Sequence, residues 1–125
     1  MTRSFSLVPL CLIVLLALTA PAAAQIPPSG AEIAAYRGLH AAAARGDASE
    51  IERLVRAGTT IDARDSHGRT PLHVAVFMRK QDATRTLLRL GADPNALESQ
   101  QYDIVTIAAV ADDVPMLRIA LDGRC

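Results

Sequence analysis

From Ser29 onward, apolar residues recur in short stretches of helical period, separated by clusters of Gly, Asp, Asn and Pro. Ser29 followed by Glu32 is a capping-box pattern, so a helix is predicted to start at Gly30 or Ala31 and run to Ala44, with Gly38 weakening its middle. Asp47 and Glu50 repeat that pattern ahead of Ile51, Leu54 and Val55, which share one helical face. Thr70 is a predicted cap with Pro71 at the first helical position, where a missing N–H costs nothing. Leu72 and Ala75 then point to a core, as do Thr84, Leu87 and Leu88 in the next helix. Asp103 caps a further helix in the same way. Asp112 and Asp113 read as cap and dipole partners of a last helix, with Pro115 in its first turn and Leu117, Ala120 and Leu121 on its apolar side. Gly58 and Gly91 are placed to close helices with left-handed backbone, and Asp65 to Gly68 signals a tight turn.

These elements repeat at one constant offset. Leu39-His40-Ala41-Ala42 returns as Leu72-His73-Val74-Ala75, and Arg56-Ala57-Gly58 returns as Arg89-Leu90-Gly91. Asp62-Ala63 corresponds to Asn95-Ala96, and Asp65-Ser66 to Glu98-Ser99. A weaker third copy aligns Thr70 to Ala75 with Asp103 to Ala108. Ala42, Ala75 and Ala108 hold one small position in all three, which lets helices approach closely. A stack of this kind needs about three units and a polar cap at each end. The third copy reaches Gly123-Arg124-Cys125 where its hairpin is expected to begin, so a C-terminal cap is expected to be missing and Val105, Leu117 and Leu121 to have an open side. A truncated chain, or one end of a longer parent, is the expectation.

Gly68 to Ala75 and Leu88 to Ala96, with Ala57-Gly58 and Asp62-Ala63, resemble the signature of the ankyrin-repeat family over about residues 36 to 123. The resemblance implies an all-α solenoid of about three helix–turn–helix units, at 36–68, 69–101 and 102–125, joined by hairpin loops. Residues 31–125 form the domain, 25–30 a Pro-containing extended linker. Arg79 and Asp112 stand where Gly46 closes the first inner turn, and Gln101 stands where Gly68 lies, so an irregular second hairpin is expected. Tyr102 to Thr106 is similar to the form found in some bacterial exported ankyrin proteins. The family architecture also implies a binding groove lined by hairpin tips and inner-helix ends. Mapped onto this chain, those positions are Ala44 and Arg45, Ser66, His67 and Arg69, Phe77 and Met78, Ser99, Gln100 and Tyr102, and Val110 and Ala111. Phe77 and Tyr102 are expected to be exposed aromatic contacts. His40 and His73, at the same position of adjacent units, are expected to fix loops through hydrogen bonds rather than bind metal.

Composition narrows the function. Residues 1–24 carry Arg3, an uncharged apolar run from Leu7 to Leu18 and the small residues Ala22 to Ala24, the build of a secretory signal peptide cleaved before Gln25. Removing them leaves 101 residues with 12 basic and 13 acidic side chains. A balance so close to zero excludes a nucleic-acid binder, which needs a basic face. Four aromatics in the whole chain exclude a base- or sugar-stacking platform. Cys11 lies in the leader and Cys125 has no partner in the mature chain, so no internal disulfide or cysteine metal site is expected. Arg outnumbers Lys 12 to 1 and Ala is frequent, usage typical of GC-rich bacterial genes, which makes the expected compartment the periplasm. There is no phosphate loop, HExxH or nucleophile constellation, so neither an enzyme nor a cofactor is expected. The expected function is a non-catalytic scaffold that binds another protein. The alternative is an auxiliary of a periplasmic enzyme system, in protection or cofactor delivery for oxidative defence. Membrane contact is expected only through an uncleaved signal, and self-association through the C-terminal end or Cys125. Arg56 and Arg89 are expected on a solvated outer face, with Glu52 supporting Arg56 at i, i+4.

Overall fold

The structure, a computed structural model, describes residues 25–124. The predicted leader, with Cys11, and the terminal Cys125 lie outside the described residues. Those described residues form seven α-helices and no assigned strand: α1 (Gly30–Ala35), α2 (Gly38–Arg45), α3 (Ala48–Arg56), α4 (Pro71–Phe77), α5 (Gln81–Arg89), α6 (Ile104–Val110) and α7 (Val114–Gly123). The inner helices α2, α4 and α6 pack one on the next, and the outer helices α3, α5 and α7 do the same. This is the three-unit helical solenoid that the resemblance to ankyrin repeats implies.

The predicted caps explain where the helices start. Thr70 accepts from the His73 N–H and Asp103 from the Thr106 N–H, each with extended backbone ahead of an inner helix. Asp47 and Asp113 cap the outer helices α3 and α7. The Asp47 box is only half made, because the Glu50 carboxylate turns to Arg53, at 2.6 and 2.8 Å. Ala42, Ala75 and Ala108 are completely buried, and their lack of bulk is what brings the inner helices together. Leu72, Leu87, Ile51, Ile104, Ile107 and Met116 fill the space between the inner and outer layers. Met116 takes the buried position near the start of α7, Leu117 is half-buried and Leu121 is exposed.

Two expectations are corrected. The first helix does not run from Gly30 to Ala44. It breaks at Tyr36 and Arg37, both extended, and resumes at Gly38 with φ +54°, a left-handed conformation that glycine adopts without a Cβ clash. The break has a partner: the Tyr36 hydroxyl donates to Asp65 Oδ2 at 2.7 Å. The second hairpin is not irregular either. Gln101 takes φ +67°, close to the +71° of Gly68, and the same backbone pairs form. Asp65 N–H donates to the Arg69 carbonyl and Glu98 N–H to that of Tyr102, at 2.9 and 3.1 Å. Arg79 and Asp112 likewise adopt the left-handed conformation of Gly46. The hairpins are tied to each other where Ser99 N–H donates to the His67 carbonyl, at 2.9 Å.

Candidate partner-binding face

Each hairpin begins with a carboxylate that turns back on its own backbone. Asp65 Oδ1 accepts from the N–H groups of His67 and Arg69, both at 2.8 Å. Glu98 Oε1, at the equivalent position of the next unit, accepts from those of Gln100 and Tyr102, at 2.8 and 3.1 Å. The tips are thereby held rigid while Ser66 and Ser99 stay exposed on them. Below the tips, His40 Nε2–H donates to the Arg69 carbonyl at 2.8 Å and His73 Nε2–H to the Ala96 carbonyl at 2.9 Å, the structural role expected of both. His73 Nδ1 accepts the Thr70 N–H, so the ring is neutral, and burial pushes its pKa down.

Arg69 organises the first hairpin. Its guanidinium reaches along α4 to lie 5.7 Å from the centre of the Phe77 ring. It donates to Glu32 Oε2 at 3.2 Å and to Asp65 Oδ2 at 3.4 Å, and its other terminal nitrogen donates to the Ile26 carbonyl at 3.0 Å. Burial works to raise the Asp65 carboxyl, but the Tyr36 hydroxyl, the two backbone N–H groups and the Arg69 charge outweigh it and hold it below its ordinary value. The Tyr36 phenol is pushed up to about 12, first by burial and then by the Asp65 carboxylate it donates to. Glu32, which also accepts the Ser29 N–H of its own capping box, faces His67 Nδ1 at 3.1 Å.

Sequence reasoning placed Arg69 and Phe77 as exposed groove contacts. The structure buries Arg69 to 1% and leaves Phe77 only half-exposed, packed against the core. For Arg69 the cause is the return of residues 26–36, which lays Ile26 and Glu32 against its guanidinium. Residues 25–30, expected as a linker, lie on the hairpins: Pro28 is buried and Ile26 is bonded to both Arg69 and Gln100. Arg69, Phe77, His67 and Gln100 are therefore brought into one neighbourhood. Met78 and Tyr102 are half-buried against the core. Ala44 is buried and Ala111 half-buried. Arg45 and Val110 are exposed, Arg45 beside Asp47 at 3.9 Å and next to a polar cleft of about 470 Å³ that Arg79 and Lys80 also line. On the outer side, Glu52 pairs with Arg89 of the next unit and not with Arg56.

The residues that sequence reasoning passed over are Tyr36, Glu32 and Asp65. One signal for Asp65 was available: a carboxylate recurs at the start of both hairpins, at Asp65 and Glu98. The spacing pointed to Glu32 only as the partner of Ser29 in a capping box, and nothing in it pointed to Tyr36 or to the bond between Glu32 and Arg69, since those partners lie 29 and 37 residues away.

Comparison with known proteins agrees with this architecture. A family model described as ankyrin repeats (3 copies) matches residues 23–98. Inversin of Homo sapiens is 32% identical over 87 residues, which cover 69% of this chain and 8% of inversin. The ADP-ribosylation factor GTPase-activating protein AGD2 of Arabidopsis thaliana is 42% identical over 86 residues, 66% of this chain and 11% of that protein. Protein phosphatase 1 regulatory subunit 27 of Homo sapiens is 42% identical over 73 residues, 58% of this chain and 44% of that subunit. The chain spans about a tenth of the length of the first two of these relatives, all three of which are eukaryotic.

Proposed function

The chain belongs to the ankyrin-repeat family, whose repeats serve protein–protein interaction, and from that premise we propose that it is a non-catalytic scaffold exported to the periplasm. It holds one partner protein on the face made by the hairpin tips and the ends of the inner helices. The observation that carries this reading is the pairing of rigid backbone with exposed side chains at equivalent positions. Asp65 and Glu98 fix two hairpins in one geometry, and Ser66 and Ser99 stand exposed on them at matching places in successive units. Val110, 59% exposed at the end of α6, extends the same side of the stack. Such a surface loses little conformational entropy on binding, which is where much of the cost of association lies. Export rests on the leader read at residues 1–24, and the bacterial assignment on Arg usage and on Tyr102 to Thr106.

Affinity capture from a periplasmic extract tests the reading. Ser66→Glu with Ser99→Glu and Val110→Asp, all at exposed positions, should weaken capture roughly tenfold or more while helicity is unchanged. Arg56→Ala on the outer helix should leave capture intact. Loss with Arg56→Ala alone would move the site to the outer face. N-terminal sequencing of the exported protein should begin at Gln25 or within a residue or two, and an intact Met1 in a membrane fraction would remove the cleavage claim.

A further inference from the structure

Gln25-Ile26-Pro27-Pro28 is a stretch whose chemistry restricts it before it meets anything. Proline fixes its own φ and drives the preceding residue to extended backbone, so Ile26 and Pro27 are held open by their successors. Pro27 and Pro28 have no N–H, and the Ser29 N–H is taken by Glu32. Between Gln25 and the Ser29 cap, Ile26 is thus the one residue with both a backbone N–H and a carbonyl. Both are used: its N–H donates to Gln100 Oε1 at 2.9 Å, and its carbonyl accepts from Arg69 at 3.0 Å. The two side chains come from successive hairpins, so a single backbone residue is clamped across the junction of two repeats. Ile26 is 56% exposed and Pro27 is exposed, while Pro28 is buried. The clamp therefore reads a backbone and a proline ring two residues further on, not the side chain at the clamped position. These contacts all lie before the Ser29 cap, so the segment is free to leave without dismantling α1.

Beneath it lies a site built for a peptide carbonyl. The Arg69 guanidinium is almost wholly buried, oriented by Glu32 and Asp65 and backed by the Phe77 ring, with one terminal nitrogen directed at the carbonyl. We propose that Gln25–Pro28 is a ligand held in cis by a peptide-binding site made by Arg69 and Gln100, and that an extended, proline-bearing segment of a partner protein displaces it. This deepens the partner-binding reading and rests on it for the trans ligand. Tethering gives the resident segment an effective concentration in the millimolar range, so an intermolecular competitor binds the wild-type chain only weakly until the segment is released.

The experiment uses the full chain and the peptide acetyl-Gln-Ile-Pro-Pro-Ser-Gly-amide, followed by NMR at the side-chain N–H signals of Arg69 and Gln100. Pro28→Asp replaces the buried ring with a charge, and Ile26→Pro removes the clamped N–H together with a side chain that is largely exposed. Two variants of different chemistry keep the test valid if one of them fails to fold. Each should shift the Arg69 and Gln100 signals and bind the peptide about tenfold or more tightly than wild type. A peptide with Ala for its second Pro should bind the opened variants more weakly, and one with Ala for Ile should bind as well as the original. Peptide binding that is equal in wild type and folded variants, or absent from every folded variant, overturns the proposal. Peptide binding without protein capture counts against the scaffold reading alone, and capture without peptide binding counts against the cis ligand alone.

Discussion

The two hairpins have one backbone and two fates. Both start with a carboxylate that accepts two N–H groups, both turn at a left-handed residue, and both close with the same carbonyl bond. They diverge at the residue that follows the turn. Arg69 is drawn into a cluster with Asp65, Glu32, Tyr36 and the Ile26 carbonyl, and the N-terminal segment closes over it. Tyr102, its counterpart in the next unit, stays half-buried against the core. The repeat thus specifies a scaffold twice: the first hairpin, through Arg69, holds the charge cluster and the Ile26 carbonyl, and the second, through Gln100, holds only the Ile26 N–H.

If that is so, deleting the two carboxylates should have unequal consequences. Asp65→Ala strips two backbone N–H groups of their acceptor and also removes a partner of the buried Arg69 charge and of Tyr36. It should cost about 3–5 kcal/mol, the range for breaking a buried ion pair. Glu98→Ala strips backbone groups without stranding a buried cation and should cost about 1–3 kcal/mol. Urea midpoints of both variants check this, and equal losses would mean that the Arg69 cluster adds nothing. The comparison has an acid limit. Asp65 is held below its ordinary value, so its contribution is present above pH ~3.8 and is lost as pH falls through the folded value. The deficit of Asp65→Ala should shrink over that range.

The shared part of the hairpins was legible in the sequence because it is local. Thr70, Asp103 and Asp47 cap helices through residues three positions away, and the left-handed turns at Gly58 and Gly91 depend on their own φ, +96° and +102°. Periodicity likewise found Ala42, Ala75, Leu72 and Leu87 in the core. What distinguishes the hairpins was not legible. Arg69 was read as exposed because the repeat alone leaves that position open, and only the return of residues 26–36 buries it. Tyr36 looked like one more helical residue, yet its bond to Asp65 accompanies a break in the helix. Contacts 29 to 43 residues apart that obey no repeat leave no mark on local pattern.

The turn residues sharpen the same contrast with a smaller effect and opposite signs. Gly68 has φ +71°, and a Cβ there would stand 3.2 Å from the backbone nitrogen of Ser99 in the neighbouring hairpin. Gly68→Ala should therefore destabilise by about 1–2 kcal/mol from the left-handed backbone alone, with crowding added. Gln101 carries the same conformation with an exposed side chain, and Gln101→Gly should stabilise by up to about 1 kcal/mol as the Cβ strain is relieved. Thermal unfolding of the two variants distinguishes them. A loss in Gln101→Gly would show that the two turns are not equivalent.

The smallest change isolates one of the bonds that tie α1 and its C-terminal end to the first hairpin. Tyr36→Phe keeps the ring, which lies 5.4 Å from that of His40, and removes only the hydroxyl that donates to Asp65. Near neutral pH the cost should be about 1 kcal/mol, the net value of one hydrogen bond. Its pH dependence identifies it. The Tyr36 pKa is raised to about 12 in the folded protein from an ordinary value of 10, because burial and the Asp65 carboxylate both oppose the phenolate. Between those values the unfolded chain releases the proton and the folded chain keeps it, so stability contributed by Tyr36 is complete below pH 10 and declines as pH rises towards 12. The advantage of the wild type over Tyr36→Phe, measured as the difference in urea midpoint, should be constant from pH 7 to about 9.5 and shrink above it. A difference that holds flat through pH 11 would mean that the phenol has no part in fastening α1 to this hairpin, which would then rest on Glu32, bonded to Arg69 and facing His67.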